Sequence, residues 1–256
     1  MRIVDVIKFF TVLTALNKVR LAVYITFTLF YRLTKKRVLA KLKVQVFDIS
    51  YEVTPGHGEL DIIYHTNVLK EYMQLPEFIP SEEALCIDVG ANIGSTSLAW
   101  ARAAKVGKIF AFEPHPETYK RLLRNTELNR ATQIIFPQQI AVGAKDGEVR
   151  LFISKEGSMA MMPGRYKWQG TEIPSPLMTL DTFINMKRIT SIDILKIDIE
   201  GSEVEALLGS SETLEITKRI VLEYHSTKLG DDCKRLLSDH GFRLIERAPL
   251  LFGLKK

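Results

Sequence analysis

Twelve residues, Cys86 to Ser97 (CIDVGANIGSTS), restrict the fold more than any other part of the chain. Leu85, Cys86, Ile87 and Val89 make an apolar run suited to a buried parallel strand, with Asp88 near its carboxyl end. Gly90 and Gly94 allow a tight turn, and Ser95 to Ala103 reads as the helix that follows. Strand, glycine turn and helix in that order belong to an open α/β sheet, which takes its ligands at the carboxyl ends of its strands. A turn without side chains is expected to bring backbone N–H groups close to a bound molecule.

The spacing Gly90-Ala-Asn-Ile-Gly94 then narrows the ligand. A dinucleotide fingerprint needs glycine at position 92, where the backbone must approach a pyrophosphate, and this chain has Asn92. Asn92 disfavours a nicotinamide oxidoreductase, and the lysine of a phosphate-binding P-loop is missing as well. A second apolar strand, Lys108 to Phe112, ends in Glu113, a carboxylate placed to accept hydrogen bonds from both hydroxyls of a ribose. Asp88 and Glu113 together resemble the nucleoside-binding pair of S-adenosylmethionine methyltransferases.

Four stretches extend the likeness: DVGANIG at 88–94, FEPHPETYKRLLRNTELN at 112–129, AVG at 141–143 and LKIDIEGSEVEALLG at 195–209. With LDTF at 180–183 and LEYH at 222–225, the chain resembles the FkbM-type methyltransferases over about residues 60 to 246. The resemblance implies a class I, Rossmann-like α/β domain with a mostly parallel seven-stranded sheet and helices on both faces. It also implies methyl transfer from S-adenosylmethionine, usually to a hydroxyl oxygen, on a small-molecule, glycan or lipid-linked acceptor. On the matching positions Asp88, Gly90, Asn92 and Gly94 line the methionine side of the cofactor, Glu113 holds the ribose, and the turn from Gln139 through Ala141 to Val142 meets the adenine.

Three parts are expected: a basic amphipathic leader (1–43), a β-rich entrance segment (44–80) and the cofactor-binding domain (81–256). In the entrance, Val44 to Val53 alternates as a strand, 55–58 marks a turn, and Asp61, His65 and Tyr72 are substrate-side candidates. The domain is predicted to run strand 85–89, helix 95–104, strand 108–112, helix 116–129 and strand 134–140. After an inserted hairpin it resumes with strand 192–198, helix 202–208, strand 219–224, helix 228–240 and a last strand at 242–246. The insertion, 146–180, joins β-prone VRLFIS and PSPLMTL through a loop long enough for a lid, in which Met159, Met161 and Met162 could adapt to an apolar substrate.

Charge separates the parts. Residues 1–50 carry ten Lys or Arg against Asp5 and Asp48, a net +8, whereas the remainder carries 25 basic against 28 acidic residues, a net −3. An acidic body argues against a groove that tracks nucleic-acid phosphates, as does IDIEG where amino-methylating enzymes of nucleic acids carry a proline-rich motif. The leader's apolar run, Leu21 to Tyr31, is too short to span a bilayer. Two readings of residues 1–37 stand level: a helix on an anionic membrane surface, or helices packed on the domain or on a second copy of the chain. The first carries the alternative of a membrane-surface binding protein that keeps the fold without turnover. Cys86 and Cys233 show neither disulfide nor metal spacing, which suits a reducing cytoplasm.

The fourth strand, Ile192 to Asp198, carries the chemistry. Lys196, Asp198 and Glu200 alternate toward its carboxyl end, and charges buried among apolar neighbours must pair or react. An alcohol loses its proton as it is methylated, so a base is expected within hydrogen-bond reach. Asp198, Glu200 and His225 are the catalytic candidates, with His225 favoured by its ordinary pKa and Glu223 placed to orient it. Alternatively Asp198 and Glu200 could hold a divalent cation that acidifies the substrate hydroxyl, but two carboxylates are a weak metal signature and no metal site is assigned.

Overall fold

The computed structural model of the protein describes residues 25–26, 41–54, 58–105, 107–154, 160–161 and 170–255. Most of the leader, most of the 55–58 turn and the hairpin loop with Met159 and Met162 lie outside the described residues.

Seven strands form the central sheet: β3 (Leu85–Val89), β4 (Lys108–Phe112), β5 (Ile135–Gln138), β10 (Ile194–Ile197), β11 (Arg219–Glu223), β12 (Phe242–Arg247) and β13 (Leu250–Lys255). Their spatial order is β12-β13-β11-β10-β3-β4-β5, with β13 antiparallel to both of its neighbours and the pairs from β11 to β5 parallel. The sequence order therefore reverses between β3 and β10. Such a switch point opens a crevice at the strands' carboxyl ends.

Alternation along each strand sorts the core into two layers. Cys86, Ile109, Ile194 and Val221 face α2 (Ser95–Ala101) and α3 (Pro116–Leu128), burying Trp100 and Leu122. Ile87, Val89, Leu195, Ile197 and Leu222 face α4 (Leu180–Lys187), α5 (Glu203–Leu208) and α7 (Thr227–Asp239), burying Phe183, Leu207 and Leu237. Single-residue alternation is what divides one sheet between two helical layers. Among the elements not expected are β13, α4 and the short α6 (Ser211–Glu215).

Where one strand was expected over Val44 to Val53, the chain turns back at Phe47, φ 54, and forms an antiparallel hairpin, β1 (Leu42–Val46) and β2 (Ile49–Val53). One edge of β2 pairs with β1; on its other edge the partners are asparagine side chains of α3. Ser50 N–H donates to Asn129 Oδ1 (2.8 Å) and Asn129 Nδ2 donates to Ser50 O (2.7 Å). Glu52 N–H donates to Asn125 Oδ1 (2.7 Å), and Asn125 Nδ2 donates to Ile93 O (2.9 Å) in the glycine turn. Positions 125 and 129 stand one helical turn apart, so their amides serve alternate residues of the strand.

A helix α1 (Glu59–Ile63), a widened π-helical turn (Tyr64–Val68) and two 3-10 turns (Glu71–Met73, Pro76–Phe78) then lead to β3. Glu59 forms a buried ion pair with Arg121 of α3 at 3.0 Å, and Asn67 joins Tyr51 of β2 to Ser95 of α2. Leader residue Ile25 packs against the same core layer. No described helix is long and apolar enough to cross a membrane.

The expected hairpin is present as β7 (Gly147–Ser154) and β9 (Gly170–Met178), antiparallel from Gly147↔Leu177 to Ser154↔Gly170. It belongs to a second sheet with β6 (Ala141–Val142) and β8 (Ala160–Met161), in the order β6-β9-β7-β8. The strand expected at 134–140 thus stops at Gln138, and the chain crosses from one sheet to the other beside the central crevice.

Candidate active site

The turn after β3 is built to hold Glu113. Gly90 and Ala91 N–H both donate to Phe112 O, at 3.0 and 2.8 Å, and Gly94 N–H donates to Ala91 O at 2.8 Å. Asn92 N–H donates to Glu113 Oε2 at 3.0 Å, while its own Oδ1 accepts from Ile93 N–H at 2.8 Å. Every amide from 90 to 94 is therefore spent inside the protein. That corrects the expectation that they face a ligand, and it leaves no donors for a pyrophosphate.

Asn92 sits at φ 51, a left-handed conformation that asparagine tolerates better than most residues. Gly90 is required on two counts: its φ is 79, and a Cβ there would lie 1.7 Å from the carbonyl oxygen of Asp198. The turn after β3 and the end of β10 are thus in direct contact.

Glu113 takes a second amide, His115 N–H, at 2.9 Å. Burial pushes its carboxyl up to about 7, and the two amides only partly offset that. Beside it an apolar cleft is lined by Val89, Gly90, Phe112, Pro114, Ile140, Ala141, Val142, Leu151, Ile199 and Ser202. Of the residues expected at the cofactor, Gly90 and Ala141 line this cleft, with Glu113 adjoining Phe112 and Pro114. Asp88 is fully buried instead; its Oδ2 accepts from Ser97 Oγ at 2.6 Å and its Oδ1 lies 3.1 Å from Lys196 Nζ. Gly94 faces Leu122 of α3. These two support the turn from behind.

Asp198, Glu200 and His225 are brought together beyond β10 and β11. His225 Nε2 stands 3.7 Å from Asp198 Oδ1 and 3.4 Å from Glu200 Oε2, while Nδ1 is 3.0 Å from Glu203 Oε1. Burial opposes charge on the imidazole, but Glu203, Asp198 and Glu200 outweigh it and hold His225 up at about 9. At neutral pH it is an imidazolium, with no lone pair to act as a base. Glu223 does not orient it: that place belongs to Glu203, whose side chain is fully buried. Glu200 adopts φ 55, and burial raises its carboxyl despite the neighbouring His225.

Lys196 joins the two halves. Its Nζ donates to Gly90 O at 2.9 Å and lies 3.6 Å from Asp198 Oδ2, and Tyr72 presents its ring at 5.1 Å. Burial lowers the affinity of the amine for its proton, but Asp88 and Asp198 outweigh burial and raise it. Of the entrance candidates, His65 pairs with Glu71 at 3.4 Å and Asp61 lies on α1, whereas Tyr72 reaches the site. Among the described residues no group of three or more His, Cys, Asp or Glu is arranged to hold a metal ion.

The family model for the methyltransferase FkbM domain matches residues 88–244. The chain belongs to the FkbM methyltransferase family. A hexuronic acid methyltransferase of Haloferax volcanii is 28% identical over 202 residues, 78% of this chain and 76% of its own. A 2-O-methyltransferase of Sinorhizobium fredii is 24% identical, covering 64% and 72% of the two chains. The 31-O-demethyl-FK506 methyltransferase of Streptomyces tacrolimicus is 28% identical over 65% and 75%. A crystal structure of an FkbM methyltransferase from Methylobacillus flagellatus shares the fold at TM-score 0.50 and 19% identity, over 68% of this chain and 44% of that one.

As an FkbM methyltransferase the chain takes its methyl group from S-adenosylmethionine. The residues fit that group: a buried carboxylate, Glu113, stands beside an apolar cleft, and further carboxylates gather at the end of β10. Residues missed from the sequence were Glu203, Asn125 and Asn129. The spacing of the two asparagines in RNTELN was visible, but not what they would meet.

Proposed function

We propose that this FkbM methyltransferase methylates a hydroxyl oxygen on a carbohydrate, lipid-linked or secondary-metabolite acceptor, with Asp198 taking the hydroxyl's proton. The observation that carries this is the Asp198 carboxylate held between Lys196 Nζ at 3.6 Å and His225 Nε2 at 3.7 Å, on a residue whose backbone packs against the glycine turn. Bound S-adenosylmethionine supplies a methyl group on a sulfonium that is already a good leaving group. The residues must therefore align the acceptor oxygen and receive its proton, and positioning accounts for much of the rate.

In this reading Glu113 and the apolar cleft hold the nucleoside, and Gly90 lets the turn pack against the end of β10. Lys196 and charged His225 neutralise neighbouring carboxylates and fix Asp198 between them. Asp198, itself partly exposed, releases the proton to solvent, while Glu200 holds the other side of His225 Nε2. The relatives' names give hexuronic acid as one substrate, and a 2-O position and 31-O-demethyl-FK506 as precedents for oxygen acceptors. The β7–β9 hairpin, whose Leu151 lines the cleft, would cover the acceptor.

The test uses isotopically labelled S-adenosylmethionine with fractionated glycans and lipids of the host. The expected product carries label as an alkali-stable methyl ether, and Asp198→Asn lowers its formation by about 10²–10⁴-fold. Label released by mild base would mean that a carboxylate, not a hydroxyl, is the acceptor.

A further inference from the structure

Tyr72 precedes the span matched by the family model, yet its hydroxyl lies 2.9 Å from Asp198 Oδ2 and 2.8 Å from Glu223 Oε2. A phenol has one proton to donate. Two ionised carboxylates on one buried hydroxyl would leave lone pairs facing each other, so the three oxygens call for a second proton.

The surroundings decide where that proton sits. Asp198 faces two cations, Lys196 Nζ at 3.6 Å and His225 Nε2 at 3.7 Å. Glu223 faces Asp198 and Glu71, and burial followed by Asp198 holds its carboxyl up at about 7, against the hydrogen bond that its ionised form would accept from Tyr72 and the weaker influence of His225. Glu223 is therefore the acid: its O–H donates to the Tyr72 oxygen, and Tyr72 donates to Asp198. The phenol ring is seated against Lys196 at 5.1 Å, which fixes the direction of its hydroxyl.

We propose that Tyr72 is a positioning residue, which with a proton held on Glu223 aims Asp198 at the acceptor hydroxyl. This rests on the reading of Asp198 as the proton acceptor. In the transfer step the acceptor O–H and the sulfur–methyl bonds break, the oxygen–methyl bond forms, and the proton goes to Asp198. The protons on Tyr72 and Glu223 stay in place. The entrance segment is thereby part of the machinery, because the residue that orients Asp198 comes from it.

The test is carbon-13 NMR of the full-length protein labelled at glutamate carboxyls, with the Glu223 resonance assigned by its loss in Glu223→Gln. The wild type is expected to show a neutral Glu223 acid at pH 6, with a midpoint near 7. Tyr72→Phe removes the acceptor of the acid's hydrogen bond, so the midpoint falls by about one pH unit, a tenfold loss of proton affinity. A Glu223 ionised at pH 6, or a midpoint in Tyr72→Phe that rises or stays put, overturns the proposal; a rise would mean that the phenol donates to Glu223.

Should Tyr72→Phe fail to fold, Asp198→Asn serves instead. Loss of that charge must lower the Glu223 midpoint, and an unmoved midpoint overturns the chain of hydrogen bonds. The two readings fail separately. If only the Asp198 role is wrong, Asp198→Asn keeps methyl transfer while Glu223 titrates as described; if only the Tyr72 role is wrong, transfer is lost and the Glu223 titration ignores Tyr72.

Discussion

Replacing Glu113 tests the cofactor half of the site through its pH dependence. The shift of this carboxyl from 4.5 to about 7 corresponds to about 3 kcal/mol spent on ionising it in the folded protein. Its folded value is raised, so its stabilising contribution is complete below about pH 4.5 and is lost as pH rises through 7. Ribose hydroxyls donating to the carboxylate favour the ionised form, so binding of S-adenosylmethionine draws the proton off. Affinity is then expected to weaken as pH falls below 7, approaching about tenfold per unit. Glu113→Gln loses a charge-assisted bond to the ligand, about 1.5–3 kcal/mol, and turns an amide NH₂ toward the N–H of Asn92 or His115, costing about 1–3 kcal/mol of folding stability. The lost bond raises Kd by roughly 10–10²-fold and the pH dependence disappears. Calorimetry in two buffers of unequal ionisation heat, between about pH 5.5 and 7, reads both affinity and proton release. Equal affinities for the two proteins, or a flat pH profile with no proton released, would refute the assignment of Glu113 to the ribose.

Gly90→Ala combines a left-handed backbone with a Cβ 1.7 Å from the Asp198 carbonyl, and should cost about 2–4 kcal/mol, seen as a fall of roughly 5–15 °C in Tm. Gly147→Ala, at φ 146 with nothing within 4 Å of the added Cβ, is the control for backbone strain alone and should cost less. Asn125→Ala leaves Glu52 N–H and Ile93 O without their partner; a loss of about 2–4 kcal/mol is expected in chemical denaturation, with faster amide exchange in β2. Lys196→Met strands the fully buried Asp88 beside Asp198 and should cost about 3–5 kcal/mol, whereas a smaller loss in Lys196→Met/Asp88→Leu would show by a double-mutant cycle that the penalty is the unpaired charge.

What the sequence made legible is what local pattern controls. The apolar run ending at Asp88, the two glycines and the helix after them occupy consecutive positions, and their periodicity alone located β3, the turn and α2. The last strand escaped because LLFGLK follows Pro249 closely and carries Gly253, a residue that weakens strands; here glycine fits because a Cβ would meet Ile220 at 2.7 Å. α6 is too short, at five residues, for a helical period to stand out, and the start of α4 at Leu180 is hidden in the β-prone run PSPLMTL.

The site divides in the same way. Asp198, Glu200 and His225 could be grouped because each follows a strand that ends at the same edge of the sheet, a consequence of parallel topology. Which acid would face the imidazole could not be read, because Glu203 arrives from a helix start and Glu223 from a strand end. Only the packed structure separates them: at 3.0 Å Glu203 holds Nδ1, and at 2.8 Å Glu223 meets a tyrosine 151 residues away. The same reasoning explains Asn125 and Asn129. An asparagine on a helix face is an ordinary surface residue until a strand edge arrives against it, and nothing in RNTELN specifies that the edge is β2. Sequence distance, and not chemical novelty, set the limit: Tyr72, Lys196 and Glu223 are ordinary residues whose joint meaning depends on three elements meeting at one point. The entrance segment supplies one of those three, so a fragment beginning at Leu85 would keep the glycine turn and Glu113 but lose the hydroxyl that bridges Asp198 and Glu223.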